Sequence, residues 1–244
     1  MKIKIVKSNT IKTIEDWFTS APPQGGNLQW KDGYSAKELA KFVIKKQTEF
    51  QNLIQDVINE AGIKNCNYLE GEPEASTRLP FSHRGSRKHD LLLRSDKFII
   101  GVEAKAKEAF GNDKSGSKEK ERRLKWMQEM LFSPQEKNGI KDIPYQLLTG
   151  ITGTLLEAKR NHIYDCIFLI LVFIRDKENQ KNEEALNFFI NKLGADKGIV
   201  INVKEPDEKE GTKIKCWVKK RVIKCIKSVD KKKELLKGSV SGDC

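Results

Sequence analysis

The stretch "HDLLLRSDKFIIGVEAK", residues 89–105, decides how this chain is expected to fold. Two apolar runs flank Ser95-Asp96, which predicts a β-hairpin with its turn at that pair. In this register Arg94 faces Lys97 and Asp90 faces Gly101. Because side chains alternate between the two faces of a strand, the hairpin separates into an apolar and a polar face. The apolar face is expected to hold Leu91, Leu93, Phe98, Ile100, Val102 and Ala104.

The polar face is expected to bring two carboxylates and a lysine together. Asp90 and Glu103 become diagonal neighbours with Cβ atoms about 7 Å apart, Gly101 leaves open space opposite Asp90, and Lys105 follows on the same edge. Two carboxylates with water suit Mg²⁺. A bound cation lowers the pKa of a water and shields a phosphodiester, and a lysine orients that water or stabilises charge. The pattern therefore predicts a group suited to phosphodiester hydrolysis.

A His-Asp pair is followed after twelve residues by Glu-Ala-Lys, and this segment lies between a predicted long helix and a further predicted helix and strand. The arrangement resembles the PD-(D/E)XK nuclease superfamily, which includes restriction endonucleases. The resemblance implies an α/β fold with a restriction-endonuclease-like αβββαβ core, a mixed central sheet flanked by helices. It also implies cleavage of nucleic acid with Mg²⁺, or with Mn²⁺ as an alternative. Asp90, Glu103 and Lys105 match the catalytic positions. Asp90, Glu103 and the backbone carbonyl of Ala104 match the metal ligands.

Further side chains are candidates for places beside this group. Some members of the superfamily add an acid from the first helix, where Glu38 and Glu49 stand; Glu38 also fits a capping box that begins at Ser35. Glu72 is a candidate from the preceding strand. Other accessory candidates are His89, for which a surface or loop role is the alternative, and Gln146. Gln146 matches the start of the Gln-x-x-x-Tyr motif of exonuclease-like members, but residue 150 is Gly, so that subtype is unsupported.

The charge of the chain indicates a polyanionic partner. The 244 residues include 46 Lys and Arg against 34 Asp and Glu, a net charge of +12. Residues 213–237 alone hold eleven basic and two acidic residues. Nucleic acid is the commonest such partner, and a lysine-rich solvated face is the alternative. The candidates for nucleic-acid contact are Arg84, Arg87, Lys88, Lys118, Arg122, Arg123, Lys219, Lys220 and Arg221.

The rest of the pattern favours a single cytoplasmic domain over 1–244, with an N-terminal extension over 1–34 and a basic C-terminal segment over 213–244. Five scattered cysteines without a Cys-x-x-Cys pair argue against a disulfide framework or a zinc site. The longest apolar run, 166–174, predicts a central strand, because a membrane helix needs about 20 residues. Helices are expected over 36–61 and 143–160, and a helix is one option for the tail from residue 219. A second Glu-Ala-Lys at 157–159 is interpreted as a solvated helix end.

Together these patterns predict a Mg²⁺-dependent nuclease, a DNA endonuclease of restriction or antiviral defence type. Double-stranded DNA is the expected partner, a homodimer is an open alternative, and no membrane is expected. The alternative function is a catalytically inactive nucleic-acid-binding module with the same fold. A structural partner in a defence complex is a third option, and the choice between DNA and RNA stays open.

Overall fold

A computed structural model describes residues 1–64, 66–81, 86–111, 116–133, 140–174, 180–195 and 197–225. Within these ranges a mixed sheet lies between two layers of helices, so the predicted α/β class is confirmed. The helices are α1 (Ile14–Ser20), α2 (Ser35–Lys45), α3 (Gln47–Glu60), α4 (Lys118–Leu131), α5 (Tyr145–Arg160) and α6 (Gln180–Leu193). The strands are β1 (Lys2–Lys7), β2 (Asn9–Thr10), β3 (Tyr68–Arg78), β4 (Ser86–Arg94), β5 (Phe98–Lys105), β6 (Asp165–Ile174), β7 (Ile199–Val203) and β8 (Thr212–Lys224).

The sheet has the strand order β2-β1-β3-β4-β5-β6-β8-β7. Strands β3, β4 and β5 are antiparallel neighbours, whereas β5, β6 and β8 run parallel. Strand β1 joins β3 in parallel, and the short strands β2 and β7 pair antiparallel at the two edges. The long apolar run forms β6, a central strand as predicted. It is buried along almost its whole length because helices cover both faces of the sheet.

The predicted hairpin is present, but in a different register. Leu92, rather than Asp90, lies opposite Gly101. The Ser95 amide donates to the Phe98 carbonyl (3.1 Å), which moves the turn to residues 96–97. A displacement by two positions keeps the alternation of side chains, since the period of a strand is two. The predicted apolar face is therefore confirmed, and all six of its side chains belong to one buried cluster.

The two helical layers are segregated along the chain. Helices α1, α2 and α3 cover the face that carries the apolar side of the hairpin, with Trp17, Phe42 and Ile54 buried against it. Helices α4, α5 and α6 cover the other face, where Leu148 and Phe189 belong to the second buried cluster. The chain therefore crosses from one side of the sheet to the other after the hairpin.

The long helix predicted over 36–61 is two helices. The break falls at Lys46, whose backbone (φ −116°, ψ 41°) is not helical. The predicted N-cap at Ser35 is also wrong, because Ser35 is already helical and its amide donates to the Glu108 carboxylate (2.9 Å). Glu38 accepts from the Gly33 amide (2.6 Å) instead of reaching back to Ser35. The Glu108 carboxylate, which is distant in sequence, thus accepts from an amide at the N-terminus of α2 in place of a local capping side chain.

The basic tail continues the sheet. The helix considered from residue 219 is wrong as far as the structure describes the tail, because β8 extends through Lys224. The rest of the basic segment, from residue 226, lies outside the described residues. Within the described ranges, no helix combines the length and the apolar character that crossing a bilayer requires.

Helix α5 packs unusually close to the sheet because glycines face it. A Cβ on Gly150 would lie 2.5 Å from Phe168 Cζ on β6, and one on Gly153 would lie 2.9 Å from His89 Nε2 on β4. A Cβ on Gly101 would lie 3.1 Å from Thr154 Cβ and 3.2 Å from His89 Nδ1. The open space predicted at Gly101 is therefore filled by α5 and His89, and that expectation is wrong.

Substituting Gly150→Ala tests this close approach. Alanine favours a helix over glycine by about 1 kcal/mol, but its methyl group would overlap the Phe168 ring, and overpacking costs about 1–3 kcal/mol. We expect the free energy of unfolding from urea titration to fall by about 1 kcal/mol. In a Phe168→Leu background the same substitution should be neutral or stabilising. An equally stable single variant would contradict the packing at this position.

Candidate active site

A completely buried carboxylate lies at the centre of the site. Glu103, near the end of β5, has no solvent exposure. Its Oε1 accepts from Gln146 Nε2 (2.5 Å) and lies 3.0 Å from Lys105 Nζ, while its Oε2 accepts from Arg87 Nη2. Burying a charge is costly unless it is paired and hydrogen-bonded. These donors from β4, β5 and α5 supply that compensation.

Gln146 is held in one orientation by the loop that follows β5. Its Oε1 accepts from the Gly111 amide (2.8 Å), and its own backbone amide donates to the Gly111 carbonyl (3.1 Å). Because the side-chain oxygen is engaged with Gly111, the NH₂ group points to Glu103. The accessory candidate Gln146 is therefore in direct contact with the predicted acid, at the N-terminus of α5.

Lys105 is a largely buried amine beside Glu103. Its side chain is 7% exposed, and its Nζ lies 5.5 Å from the centroid of the Phe110 ring. Burial lowers the pKa of Lys105, the charges of Asp90 and Glu108 oppose this, and Arg87 adds to the lowering. A lysine with a lowered pKa gives up its proton more readily and can exchange protons with a nearby water.

Asp90 reaches the backbone of β5. Its Oδ2 accepts from the Ala104 amide (2.7 Å), between Glu103 and Lys105. In an antiparallel ladder the N–H and C=O of one residue point to the same neighbouring strand. The Ala104 carbonyl is thus directed to the side from which Asp90 approaches, so Asp90 and this carbonyl lie at one edge of β5, and Glu103 is the preceding residue of that strand.

The sheet is interrupted where Asp90 stands. The β3–β4 ladder pairs Pro73 with Leu91 and Ala75 with His89, and it omits Glu74 and Asp90 between them. Glu74 has a positive φ of 50°, which is rare for a residue other than glycine. On β4, both Leu92 and His89 face α5, although residues three apart lie on opposite faces of a regular strand. The alternation of side chains between the two faces is therefore broken at Asp90. The rule used to predict the polar face does not hold at this residue, whose carboxylate is brought to β5 by the interruption.

Glu74 is a site residue that the sequence reasoning missed. Its side chain is 13% exposed, and its Oε2 lies 3.6 Å from Lys88 Nζ. Burial and, next, the charge of Asp90 raise the pKa of Glu74 to about 7. The signal in the sequence was Pro73, which has no N–H for a ladder and so marks an interruption next to it.

The predicted accessory acids bind other partners. Glu72 pairs with Arg94 (2.8 Å), and Glu49 pairs with Lys46 (2.9 Å) on the exposed side of α3. Glu38, besides the Gly33 amide described above, lies 3.3 Å from Lys41 Nζ. These contacts engage the three acids with groups other than Glu103.

His89 belongs to a buried network between the sheet and α5. It is completely buried, and its Nε2 lies 3.1 Å from Thr77 Oγ1. Thr77 donates to Glu157 Oε1 (2.8 Å), so the network assigns the proton of neutral His89 to Nε2. Burial, then the charges of Arg87 and Arg94, lower the pKa of His89 well below its ordinary value. The surface or loop role is therefore wrong.

The second Glu-Ala-Lys copy is not a solvated helix end. The Glu157 side chain is only 12% exposed, accepts from Thr77, and lies 3.4 Å from Arg94 Nη2. Lys159 of the same copy pairs with Glu208. The tripeptide at 157–159 thus fastens α5 to β3 and β4 and to the loop before β8.

The predicted nucleic-acid contacts are spread over several surfaces. Lys88, Lys118 and Arg122 are exposed, whereas Arg123 donates to the Pro80 and Phe81 carbonyls. Arg87 belongs to β4, which begins at Ser86, and its guanidinium lies at Glu103. Arg84 lies outside the described residues.

The three predicted nucleic-acid contacts on β8 lie on two faces of the sheet. Lys220 Nζ lies 3.5 Å from Glu183 on α6, and the register places Lys220 level with Glu103 through Ile170. Lys219 and Arg221 instead pair with Glu60 on α3, at 3.5 and 2.5 Å. Only Lys220 of these three therefore shares a face with Glu103.

The donor set at β5 fits a hard cation. In the described part of the chain, no three His, Cys, Asp or Glu side chains are grouped to hold a metal ion. Mg²⁺, however, is usually bound through one or two carboxylates and keeps several waters, so it needs no larger cage. Asp90, Glu103 and the Ala104 carbonyl are all oxygen donors, and these residues fit Mg²⁺ or Mn²⁺.

The fold and the site define an α/β protein with a buried cluster of acidic and basic side chains at the end of a central strand. A family described as a domain of unknown function (DUF6946) matches residues 10–222, and the chain belongs to that family. Neither a curated protein nor a solved structure matches the chain.

Replacing Thr77 by valine tests the buried network. Thr77→Val keeps the shape but leaves the His89 N–H and a Glu157 oxygen without their partner, which costs about 1–3 kcal/mol. We expect that loss in the free energy of unfolding, measured by urea titration at pH 7. Ser76→Ala, an exposed position on the same strand, is the matched control and should change stability by less than about 0.5 kcal/mol. Equal effects of the two substitutions would contradict the network.

Proposed function

We propose that this protein is a Mg²⁺-dependent nuclease, most directly a DNA endonuclease of the restriction or antiviral defence type. The observation that carries the proposal is the hydrogen bond from the Ala104 amide to Asp90. It joins the first predicted acid to the residue between the second acid, Glu103, and Lys105. Two acids and a lysine that are separated in sequence are thereby gathered at one edge of β5.

The order of elements supports the proposal. Helix α3 precedes the antiparallel strands β3, β4 and β5, and α5 then leads to β6, which is parallel to β5. The resemblance to PD-(D/E)XK nucleases implies an αβββαβ core, and this succession supports that part of the proposal. The candidate residues lie on its second and third strands, as that resemblance requires.

The chain's own residues have distinct tasks in the proposed reaction. Asp90, Glu103 and the Ala104 carbonyl would hold the cation, which supplies charge shielding and a water of lowered pKa. Lys105 orients the attacking water or exchanges a proton with it, which its lowered pKa favours. Gln146 fixes the Glu103 carboxylate, and the dry surroundings strengthen each of these interactions.

Basic residues beside the site support a nucleic-acid substrate. Helix α4 lies next to Tyr145, since Arg123 Nη1 donates to the Tyr145 hydroxyl (3.0 Å) and Lys120 Nζ lies 5.1 Å from its ring centroid. Tyr145 immediately precedes Gln146, so α4 and its exposed Lys118 and Arg122 flank the site. With a net charge of +12, binding to double-stranded DNA should weaken steeply as salt rises.

The biological setting is proposed by analogy with the superfamily alone. Restriction or defence against foreign DNA in the cytoplasm fits such a nuclease, and a homodimer would offer one site to each strand of a duplex. RNA is the alternative substrate class.

A binding module without catalysis is the second candidate. The observation that favours it is that both Glu103 oxygens already accept from protein donors, namely Arg87, Gln146 and Lys105. If these donors are never released, the protein binds nucleic acid through its basic surface but hydrolyses nothing.

Plasmid cleavage with matched lysine variants separates the two candidates. The parent protein should nick supercoiled plasmid in Mg²⁺ and not in EDTA. Lys105→Met should lower the rate at least about 100-fold, the usual weight of a positioned proton-transfer group. Asp90→Asn, which removes a proposed ligand of the cation, should lower the rate at least as much. Lys159→Met is the control, because Lys159 occupies the same place in the second Glu-Ala-Lys copy but pairs with Glu208 at the far end of α5.

Three outcomes of this assay are informative. Cleavage that survives Lys105→Met as fully as Lys159→Met would show that Lys105 has no catalytic task. Cleavage by every variant points to a contaminating nuclease. Salt-dependent binding of DNA and RNA duplexes without cleavage of either would support the binding module.

A further inference from the structure

Arg87 places a permanent positive charge among the acids of the site. Its side chain is 11% exposed, and its Nη2 donates to Glu103 Oε2. Burial lowers the pKa of Arg87, whereas the charges of Asp90 and Glu74 oppose this. A guanidinium nevertheless stays protonated in proteins. Arg87 therefore interacts with the carboxylates of Glu74 on β3, Asp90 on β4 and Glu103 on β5.

The contact between Arg87 and Glu103 is one-sided. Strong arginine–carboxylate pairs are bidentate, with two parallel hydrogen bonds. Here Glu103 Oε1 is engaged with Gln146 and Lys105, and only Oε2 accepts from Arg87. Among the described residues Arg87 Nε is buried without a hydrogen-bond partner. The pair thus lacks the second hydrogen bond of a bidentate pair, so fewer hydrogen bonds are lost when Arg87 leaves Glu103.

Arg87 and a divalent cation would compete at Glu103 Oε2, because both are positively charged. A guanidinium and a divalent ion at the same carboxylate oxygen repel each other, and surroundings of low dielectric constant strengthen that repulsion. Lys88 is exposed, so its side chain is free to move away from Glu74. The aliphatic part of Arg87 instead packs against Gly153 of α5, where a Cβ would lie 3.1 Å from Arg87 Cγ, so only its guanidinium has room to move. Cation binding at Glu103 therefore requires the guanidinium to shift.

We infer that Arg87 competes with the divalent cation for the Glu103 carboxylate and so sets the cation affinity of the site. This inference rests on the proposed function, in which Asp90 and Glu103 hold the cation. Arg87 then is a positioning residue that holds Glu103 in place and yields it when the cation binds.

Mn²⁺ binding to Arg87 variants tests the competition without measuring activity. Arg87→Met keeps the apolar stem beside Gly153 and removes the charge. The free Mn²⁺ signal in electron paramagnetic resonance, recorded at pH 8, should give a Kd at least about tenfold lower than that of the parent, which corresponds to about 1.4 kcal/mol. Arg87→Lys keeps a positive charge and should stay within about threefold of the parent. Thermal melts confirm that each variant is folded.

Arg94→Met is the matched control, since Arg94 is the other arginine of β4 that faces α5 but pairs with Glu72 and Glu157. Its Mn²⁺ affinity should match that of the parent. If Arg87→Met does not fold, Arg87→Gln, which keeps a donor for Glu103, replaces it with the same expected tightening. A folded, uncharged variant that binds Mn²⁺ no more tightly than the parent overturns the inference.

Two further variants separate this inference from the proposed function. Asp90→Asn and Glu103→Gln should each abolish the high-affinity Mn²⁺ site. If they do and the Arg87 variant shows no tightening, only the competition is wrong. If the parent binds no Mn²⁺, or these two variants bind it equally well, the cation site fails and the inference fails with it.

Discussion

The site depends on one unfavourable placement, a carboxylate with no access to water at the end of a central strand. Glu103 is ionised only if the protein provides donors where water is excluded. Arg87, Lys105 and Gln146 come from different elements to do so, and the loop at Gly111 orients the last of them. The side chains around the end of β5 must therefore be fixed in position, because each donor has to stay within hydrogen-bond distance of Glu103.

Helix α5 links this requirement to the rest of the fold. Its N-terminus supplies Gln146 to Glu103, and its last turn supplies Glu157 to Thr77 and Arg94. Gly150 and Gly153 let the helix approach the sheet closely enough for both ends to reach. Larger residues at these positions would press α5 away from β4 and β6 and so weaken both contacts. Residues that weaken the helix in isolation are therefore the ones that fit it to the sheet.

Periodicity in the sequence predicted the parts of the structure that burial alone determines. The apolar face of the hairpin and the central strand β6 were predicted correctly. The predicted register was wrong by two positions, but the predicted apolar face was unaffected because such a shift preserves the alternation of side chains. Periodicity did not predict the interruption at Glu74 and Asp90, because it depends on a backbone conformation opposite a neighbouring strand, and Pro73 was its one signal in the sequence. The partners of Arg87 and Glu157 were missed for a related reason, because both contacts join residues distant in sequence.

The site therefore combines the buried amine of Lys105, the hydrogen-bonded carboxylate of Glu103 and the carboxylate of Asp90, which reaches β5 where the β3–β4 ladder is interrupted. The proposed function requires that Asp90 and Glu103 share a divalent cation. A crystal grown with Mn²⁺ and measured for anomalous scattering tests it most directly. We expect a single strong peak at about 2 Å from a carboxylate oxygen of each residue, the distance at which small divalent cations bind oxygen ligands. A well-occupied Mn²⁺ elsewhere, with Asp90 and Glu103 keeping only their protein hydrogen bonds, would contradict it.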